Sequence, residues 1–318
     1  MRHDVEFRVE DGTLLKGFLH SGSEGPAAAI VMAHGFSGVK EQVEHYAACF
    51  ARAGFAVFVH DHRGFGASEG VPRLEVDPDR QLRDWRDAIS FALSRPETDP
   101  DAGVGVWGSS FAGGLAMMLA ATDSRVRCVV SQIPHVSGIR NGRWMFNAAE
   151  RKRLKDRLAA DRAARFAGAA PEMVPVFSSD PGQLSALPPA MGARSIRAAE
   201  DAPPAWRNEV TLRSVEAMLS VEPGAWAPYI SPKPLLMIVG AKDTCTFPEH
   251  QLETFAQARE PKRLLIHPGG HFETYTEHFE QTAGAALEWF EEHLRPAPAV
   301  PVAGTRMATA SRAGAIPA

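Results

Sequence analysis

The chain opens with strict alternation. Residues 4–10 (DVEFRVE) place apolar and polar side chains by turns, Asp11-Gly12 reads as a two-residue turn, and TLLKGFLH follows. The pattern predicts an antiparallel hairpin. Then the period changes. AAAIVMAH (27–34) is continuously apolar, as a strand buried on both faces requires. Residues 41–54 have a helical period and close on Gly54. FAVFVHD (55–61) is a second buried strand. Between 80 and 95, Leu82, Trp85, Ile89, Ala92 and Leu93 share one helical face, opposite Arg83, Asp84, Arg86 and Asp87. A strand at 104–107, a small-residue helix at 111–121 and a strand at 126–133 follow. Strand–helix alternation of this kind predicts an α/β domain, a parallel sheet with helices on both faces.

The alternation stops near Ser137. From 137 to 230 no buried-strand pattern occurs. That stretch holds a charged helix (148–167), a Pro/Ser/Gly-rich loop (175–195) and a further helix around 210–220. The alternation resumes with strands at 234–240 and 262–267 and helices near 250–259 and 275–294. The organisation is one core, 1–136 and 231–295, interrupted by a largely helical insertion at 137–230. The low-complexity tail at 296–318 is expected to be disordered. There is no internal repeat.

Composition narrows the function. The chain has 318 residues, 45% hydrophobic and 23% charged, with a net charge of −4. Nothing there favours nucleic acid or a membrane surface as a partner. No secretory signal is visible at the start, and no run approaches the ~20 apolar residues of a membrane span. Cys49, Cys128 and Cys245 are too few and too scattered for a disulfide framework, which suits the cytoplasm.

The chemistry concentrates in GVWGSSFAGG (105–114). A nucleophile on a sharp strand-to-helix turn needs small residues two before and two after it. Ser110 has Gly108 and Ala112 in those places, whereas Ser109 has Trp107 and Phe111. Ser110 is therefore the candidate nucleophile, with Ala112 departing from strict G-x-S-x-G. An oxyanion needs two backbone N–H donors. Phe111, just after Ser110, supplies one candidate, and Phe36 in His34-Gly35-Phe36, at the end of the first buried strand, supplies the other. Asp243 follows the strand after the insertion, where an acid can orient a histidine. His271 lies on a loop after Pro268-Gly269-Gly270 and is the candidate general base. His267 falls inside the last strand and reads as structural. The order Ser110, Asp243, His271 is that of an α/β-hydrolase triad.

With these residues in view, the sequence resembles the α/β-hydrolase superfamily over nearly all of residues 5–295. Within it, the chain is similar to the polyketide hydrolase/transferase-like group and its bacterial relatives. MAHGFSGVKEQ, WGSSFAGG and EPKRLLIHPGGHFETY are the most specific carriers. HDHRGFGASEGVPR, VDPDRQLRDWRDAISFA, VRCVVSQIPHVSG and SPKPLLMIVGAKD support them. The resemblance implies an α/β-hydrolase fold: a mostly parallel central sheet flanked by helices, with a largely helical lid insertion. It also implies hydrolysis or transfer of an acyl group held as an ester or thioester, through an acyl-serine intermediate and without a cofactor. The family's nucleophile, acid and histidine fall on Ser110, Asp243 and His271.

Other features compete. The same triad could cleave a carbon–carbon bond in a β-diketone, or the fold could hold a small ligand without turnover. His60 and His62 have an H-x-H look, but no third metal ligand is spaced for them, and Asp61 to Ser68 follow a D-x-R-G-x-G-x-S loop pattern. Residues 140–165 hold nine Lys/Arg against three acids. A solvated helix face is the simpler account; the alternative is a dock for a carrier protein or the phosphates of coenzyme A. The lid is also where homodimer contacts would form. Trp144, Phe146 and Trp226 either line an acyl pocket or fasten the lid to its core.

Overall fold

A computed structural model gives the structure of residues 1–22, 25–180, 182–187 and 202–294. The tail at 296–318 and residues 188–195 of the Pro/Ser/Gly-rich loop lie outside the described residues.

Strands β1 (Arg2–Arg8) and β2 (Leu14–Ser21) form the expected hairpin, with Arg8 opposite Leu14. The turn differs from the two-residue form. Val9 N–H donates to the Thr13 carbonyl, leaving a three-residue loop in which Gly12 takes φ +85°. The Asp-Gly pair does supply the left-handed residue, but as the last residue of a longer loop.

Strand β3 (Ala29–Ala33), helix α1 (Glu44–Arg52), β4 (Ala56–His60), helix α2 (Pro78–Leu93), β5 (Val104–Ser109), helix α3 (Phe111–Thr122) and β6 (Val126–Gln132) then alternate. Asp77 caps α2 by accepting from the Arg80 N–H, and Pro78 fits the first turn, so the helix starts ahead of its apolar stripe. After the insertion come β9 (Leu235–Gly240) and β10 (Lys262–His267). The sheet order is β1-β2-β4-β3-β5-β6-β9-β10. β4, β3, β5, β6, β9 and β10 run parallel, and β2 pairs antiparallel to β4.

The continuous apolar runs have a two-sided purpose. Along β3, Ala29, Val31 and Ala33 join a core with Trp85 and Ile89 of α2 and Leu115 of α3. Ile30 and Met32 point the other way, into a core with Tyr46 and Phe50 of α1 and Phe290. Alternate side chains of a strand face opposite sides, so both faces must be apolar. Fully burying each such side chain contributes roughly 1.5–3 kcal/mol.

The insertion runs between β6 and β9. It contains helix α4 (Gly138–Met145), helix α5 (Ala148–Phe166), the two-residue strands β7 (Met173–Val174) and β8 (Val210–Thr211), and helix α6 (Leu212–Ser220). The small β7–β8 ladder corrects the expectation of no strand there; two residues are too few to show a period. α4 was not expected because Gly138 and Gly142 lower its propensity. Its start is fixed by Ser137, whose hydroxyl accepts the Arg140 N–H. Helix α5 begins with a capping box between Asn147 and Glu150.

The insertion is stapled to the sheet side. Thr211 N–H donates to the Leu74 carbonyl at 3.0 Å and Val76 N–H to Ser214 Oγ at 2.9 Å. Helix α7 (Pro248–Gln257) and helix α8 (Phe279–His293) complete the fold. The helix expected at 275–294 is shorter, because residues Phe272–Tyr275 first make a tight 3₁₀ turn after the histidine loop. No described helix is long and apolar enough to cross a membrane.

Candidate active site

Ser110 sits between β5 and α3 at φ 58°, ψ −121°, a conformation strained for any residue with a Cβ. The turn is held from several sides. Ser110 N–H donates to the Gln132 carbonyl at 2.9 Å, and the Ser110 carbonyl accepts from Gly113, Gly114 and His135. A Cβ on Gly108 would lie 2.2 Å from the Ala112 carbonyl oxygen, so only glycine fits two residues before the serine. Ala112, two after it, is fully buried, and its methyl is accommodated.

His271 enters from the loop after β10. Its Nε2 lies 3.0 Å from Ser110 Oγ. Its Nδ1 lies 2.8 Å from Asp243 Oδ2, so the ring donates to the carboxylate and turns its other nitrogen to the serine hydroxyl. Asp243 is 2% exposed, on the turn after β9. Burial would raise its pKa, but the imidazole, with hydrogen bonds from His271 and Thr246, holds it below the usual carboxylate range. Cys245 N–H and Thr246 N–H donate to Oδ1, and the Thr246 hydroxyl and His271 to Oδ2.

The loop after β3 reaches Ser110 from the other side. A Cβ on Gly35 would lie 3.0 Å from Ser110 Cβ and 3.2 Å from the Ser109 carbonyl oxygen, so glycine permits the approach. Among the described residues, the N–H groups of Phe36 and Phe111 donate to no backbone or side-chain acceptor, and both residues line the cavity over Ser110. His34 braces this loop. Its Nε2 accepts the His62 N–H at 3.1 Å, so Nδ1 carries the proton and faces the Gly35 carbonyl at 3.0 Å.

The D-x-R-G-x-G-x-S pattern now has a physical account. Asp61, fully buried, accepts from Lys40 N–H at 2.8 Å, Lys40 Nζ at 2.7 Å and Ala67 N–H at 2.9 Å. It ties the loop after β3 to the loop after β4. Arg63 then bonds Asp84 of α2 with two nitrogens, at 2.6 and 2.5 Å, and Asp11 of the hairpin loop at 2.8 Å.

A cavity of about 730 Å³ opens over Ser110 and His271. Phe36, Phe111 and Phe272 line it from the core, and Met145, Phe177, Trp206 and Met218 from the insertion. Trp144, Phe146 and Trp226 do not line it. Trp144 instead packs on Phe247 and His250, with ring centroids 5.0 and 4.6 Å away, and fastens α4 to the core. His267 is buried and bonds Thr274 Oγ1 at 2.9 Å, in a structural place.

The geometry is one in which an imidazole can take a proton from a hydroxyl beside two open N–H donors. A family model described as X-Pro dipeptidyl-peptidase (S15 family) matches residues 12–273. The chain belongs to this family. Thiohydrolase aneE of Aspergillus aculeatus is 35% identical over 272 residues, 82% of this chain and 83% of that protein. Polyketide transferase ATR5 of Stachybotrys chlorohalonatus is 31% identical over 313 residues, 92% of this chain and 98% of that one. The solved structure of the α/β hydrolase GrgF from Penicillium sp. sh18 superposes with TM-score 0.81 at 28% identity, covering 92% of this chain and 99% of that one. This S15-family chain is thus an α/β-hydrolase of the polyketide hydrolase-like group, an enzyme of the serine hydrolase and acyl-transfer type.

Two further matters concern metals and charge. Among the described residues, Asp243, Cys245 and His271 are the group close enough to share an ion. All three are buried, but both Asp243 oxygens are already taken by protein donors, so a metal would have to displace the Asp243–His271 bond. His60 and His62 are packed side by side, ring centroids 5.4 Å apart, in a buried aromatic cluster with Trp85. The basic stretch is largely spent on internal pairing. Lys152 meets Asp156, Arg157 meets Glu172, Arg162 meets Glu216, Arg165 meets Asp161 and Arg140 meets Glu253. Sequence reasoning missed Thr246 and Tyr275 beside Ser110, Asp243 and His271; Thr246, three residues after Asp243, had a local signal in its spacing.

Proposed function

We propose that Ser110, His271 and Asp243 form the catalytic triad of an acyl-cleaving enzyme whose substrate is a small-molecule thioester or ester. The pair of hydrogen bonds, 3.0 Å from Ser110 to His271 and 2.8 Å from His271 to Asp243, carries the reading. Ser110 Oγ attacks the carbonyl carbon as His271 Nε2 takes its proton. The Phe36 and Phe111 N–H groups hold the oxyanion, each worth about 3 kcal/mol of barrier lowering. The C–S or C–O bond then breaks and His271 returns the proton to the leaving thiolate or alkoxide. Water, or another nucleophile, gives its proton to His271 as it attacks the acyl carbon, the acyl–Oγ bond breaks, and His271 returns the proton to Ser110 Oγ.

The thioester preference draws on the relatives. The thiohydrolase and the polyketide transferase align over most of their lengths, and the apolar wall that Phe36, Phe111, Met145, Phe177, Trp206 and Met218 give the cavity suits an acyl chain. Residues 137–230 act as the lid that shapes that cavity. The three cysteines, none in a disulfide, suit a cytoplasmic setting.

The test is activity and fluorophosphonate labelling of the wild type and Ser110→Ala, against p-nitrophenyl esters, acyl thioesters, a β-diketone panel and an X-Pro anilide. Thioester or ester turnover lost by ~10³-fold or more in Ser110→Ala, with labelling abolished, is the expected result. Turnover or labelling that survives in Ser110→Ala overturns the assignment. Preference for the diketones or the anilide overturns the substrate class.

A further inference from the structure

Ser109, the second hydroxyl of the pair, is fully buried and belongs to a separate network. Its Oγ lies 2.7 Å from the Tyr275 hydroxyl. Tyr275 ends the 3₁₀ turn that follows His271. Ser109 immediately precedes Ser110. Two hydrogen bonds therefore join the same two segments: one between the reacting atoms, Ser110 and His271, and one beside them, from buried Ser109 to Tyr275, whose ring also lines the cavity.

The second bond is itself anchored. Gln132 Nε2 donates to Ser109 Oγ and to the Tyr46 hydroxyl, each at 3.3 Å, while the Gln132 main-chain carbonyl accepts the Ser110 N–H. Tyr46 OH donates to the Thr274 carbonyl at 3.0 Å and meets Thr282 Oγ1 at 2.9 Å. Thr274 Oγ1 donates to the Gly270 carbonyl and meets His267 Nε2. Each end of the histidine loop is pinned, and one pin leads straight to the nucleophile turn. Burial pushes the phenol pKa of Tyr275 up, so it stays a neutral hydrogen-bonding group across the working range.

We infer that Ser109 and Tyr275 are positioning residues: their hydroxyl–hydroxyl bond sets the distance and angle between His271 Nε2 and Ser110 Oγ. This rests on the triad reading above. The physical need is plain. The Ser110–His271 bond must break and re-form in each half-reaction, so it cannot by itself keep the loop in register. A neighbouring bond that takes no part in proton transfer can. A misplacement of about 1 Å at such a site costs up to ~10²-fold in rate. Losing one of several pins shifts the loop by less, and about tenfold in kcat is expected.

The experiment compares wild type, Tyr275→Phe, Ser109→Ala and the double variant for kcat, KM, melting temperature and the rate of fluorophosphonate acylation. Tyr275→Phe removes a single oxygen and carries the test alone if Ser109→Ala fails to fold. Expected is a fall of about tenfold in kcat and acylation rate for each single variant, KM within about twofold, and a double variant no slower than the worse single. Wild-type kcat and acylation in folded Tyr275→Phe overturns the inference. So does a purely additive double variant, or a raised KM in Tyr275→Phe that Ser109→Ala does not share, which would make Tyr275 a substrate contact. Ser110→Ala separates the two claims: if it retains activity the triad reading has failed, and if it is dead while Tyr275→Phe is unimpaired, only the positioning claim has.

Discussion

Asp61→Asn tests how the loop after β3, the proposed oxyanion loop, is held. The carboxylate is fully buried and takes three donors from two loops, among them the Lys40 ammonium, whose side chain is 6% exposed. Burial alone would lower the Lys40 pKa, but Asp61 and Glu41 raise it, so the lysine is charged in the fold. Asparagine keeps the shape, removes the charge and turns an NH₂ toward one of the donors. Breaking a buried pair from one side costs about 3–5 kcal/mol. Glu41 remains 2.8 Å from Nζ, which favours the lower end, about 3 kcal/mol. For a chain of this size that is a fall in Tm of roughly 4–5 °C. Removing the stranded ammonium should restore part of the loss. Lys40→Met with Asp61→Asn is therefore expected to be less destabilised than the sum of the two singles by at least about 1.5 kcal/mol. Urea unfolding and thermal melts measure the stability, and kcat with a thioester measures the loop, with a fall of roughly tenfold or more expected in Asp61→Asn. A Tm within 2 °C of wild type, or strict additivity in the cycle, would refute the account.

The other expectations are briefer. Asp243→Asn should keep the fold and lower kcat by on the order of 10³–10⁴, read from steady-state turnover, because the imidazole loses its orienting carboxylate; wild-type turnover would exclude that role. Gly35→Ala places a methyl 3.0 Å from Ser110 Cβ, so kcat should fall about tenfold or more with Tm nearly unchanged. Acid should destabilise the fold ahead of carboxylate titration. Burial lowers the His60 pKa to about 3 and the His135 pKa to about 4, so both are neutral in the fold while the unfolded chain binds protons below pH ~6.5. Their contribution is complete above that pH and lost as pH falls toward the folded values; His60 alone loses about 3 kcal/mol by pH 4.5. Urea midpoints from pH 7 to 4.5 test this, and a flat profile contradicts it. Trp144→Ala should lower Tm and leave acyl-chain preference alone, since the ring packs on Phe247 and His250 and stands outside the cavity.

What could be read in advance depended on range. Buried strands announce themselves in five or six consecutive apolar residues, and the sharp turn at Ser110 is legible because its steric demand falls on Gly108 and Ala112, within two residues of Ser110. Asp243 and His271 were readable because each follows a strand end. Tyr275 was not. Its partner is 166 residues away, and a tyrosine four residues after a histidine carries no local mark of that contact. The lid was harder still. α4 contains two glycines and depends on the Ser137 cap and on packing against α6. Of the two roles open to Trp144, Phe146 and Trp226, the sequence alone did not choose, because aromatic character identifies a buried or packed ring, not the cavity it faces; Trp144 takes the fastening one.

The two halves of the site have different origins in the fold, and this bears on what variation can do. Every group placed at the reacting atoms comes from a loop at the carboxyl end of a core strand: the Gly35 loop after β3, Ser110 after β5, Asp243 after β9 and His271 after β10. These loops are cross-braced by buried polar contacts, Asp61 to Lys40 on one side and Tyr46 to Thr274 on the other. Met145, Phe177, Trp206 and Met218, by contrast, reach the cavity from the insertion, which joins the core through the loop at Leu74 and Val76 and through Trp144 on Phe247 and His250. Changes in the insertion can therefore alter cavity shape with little effect on the distances between Ser110, His271 and Asp243. On the proposed reading, selectivity among acyl chains belongs to the insertion and reactivity to the core, so a substitution at Met145, Phe177, Trp206 or Met218 should move KM and acyl preference before it moves kcat.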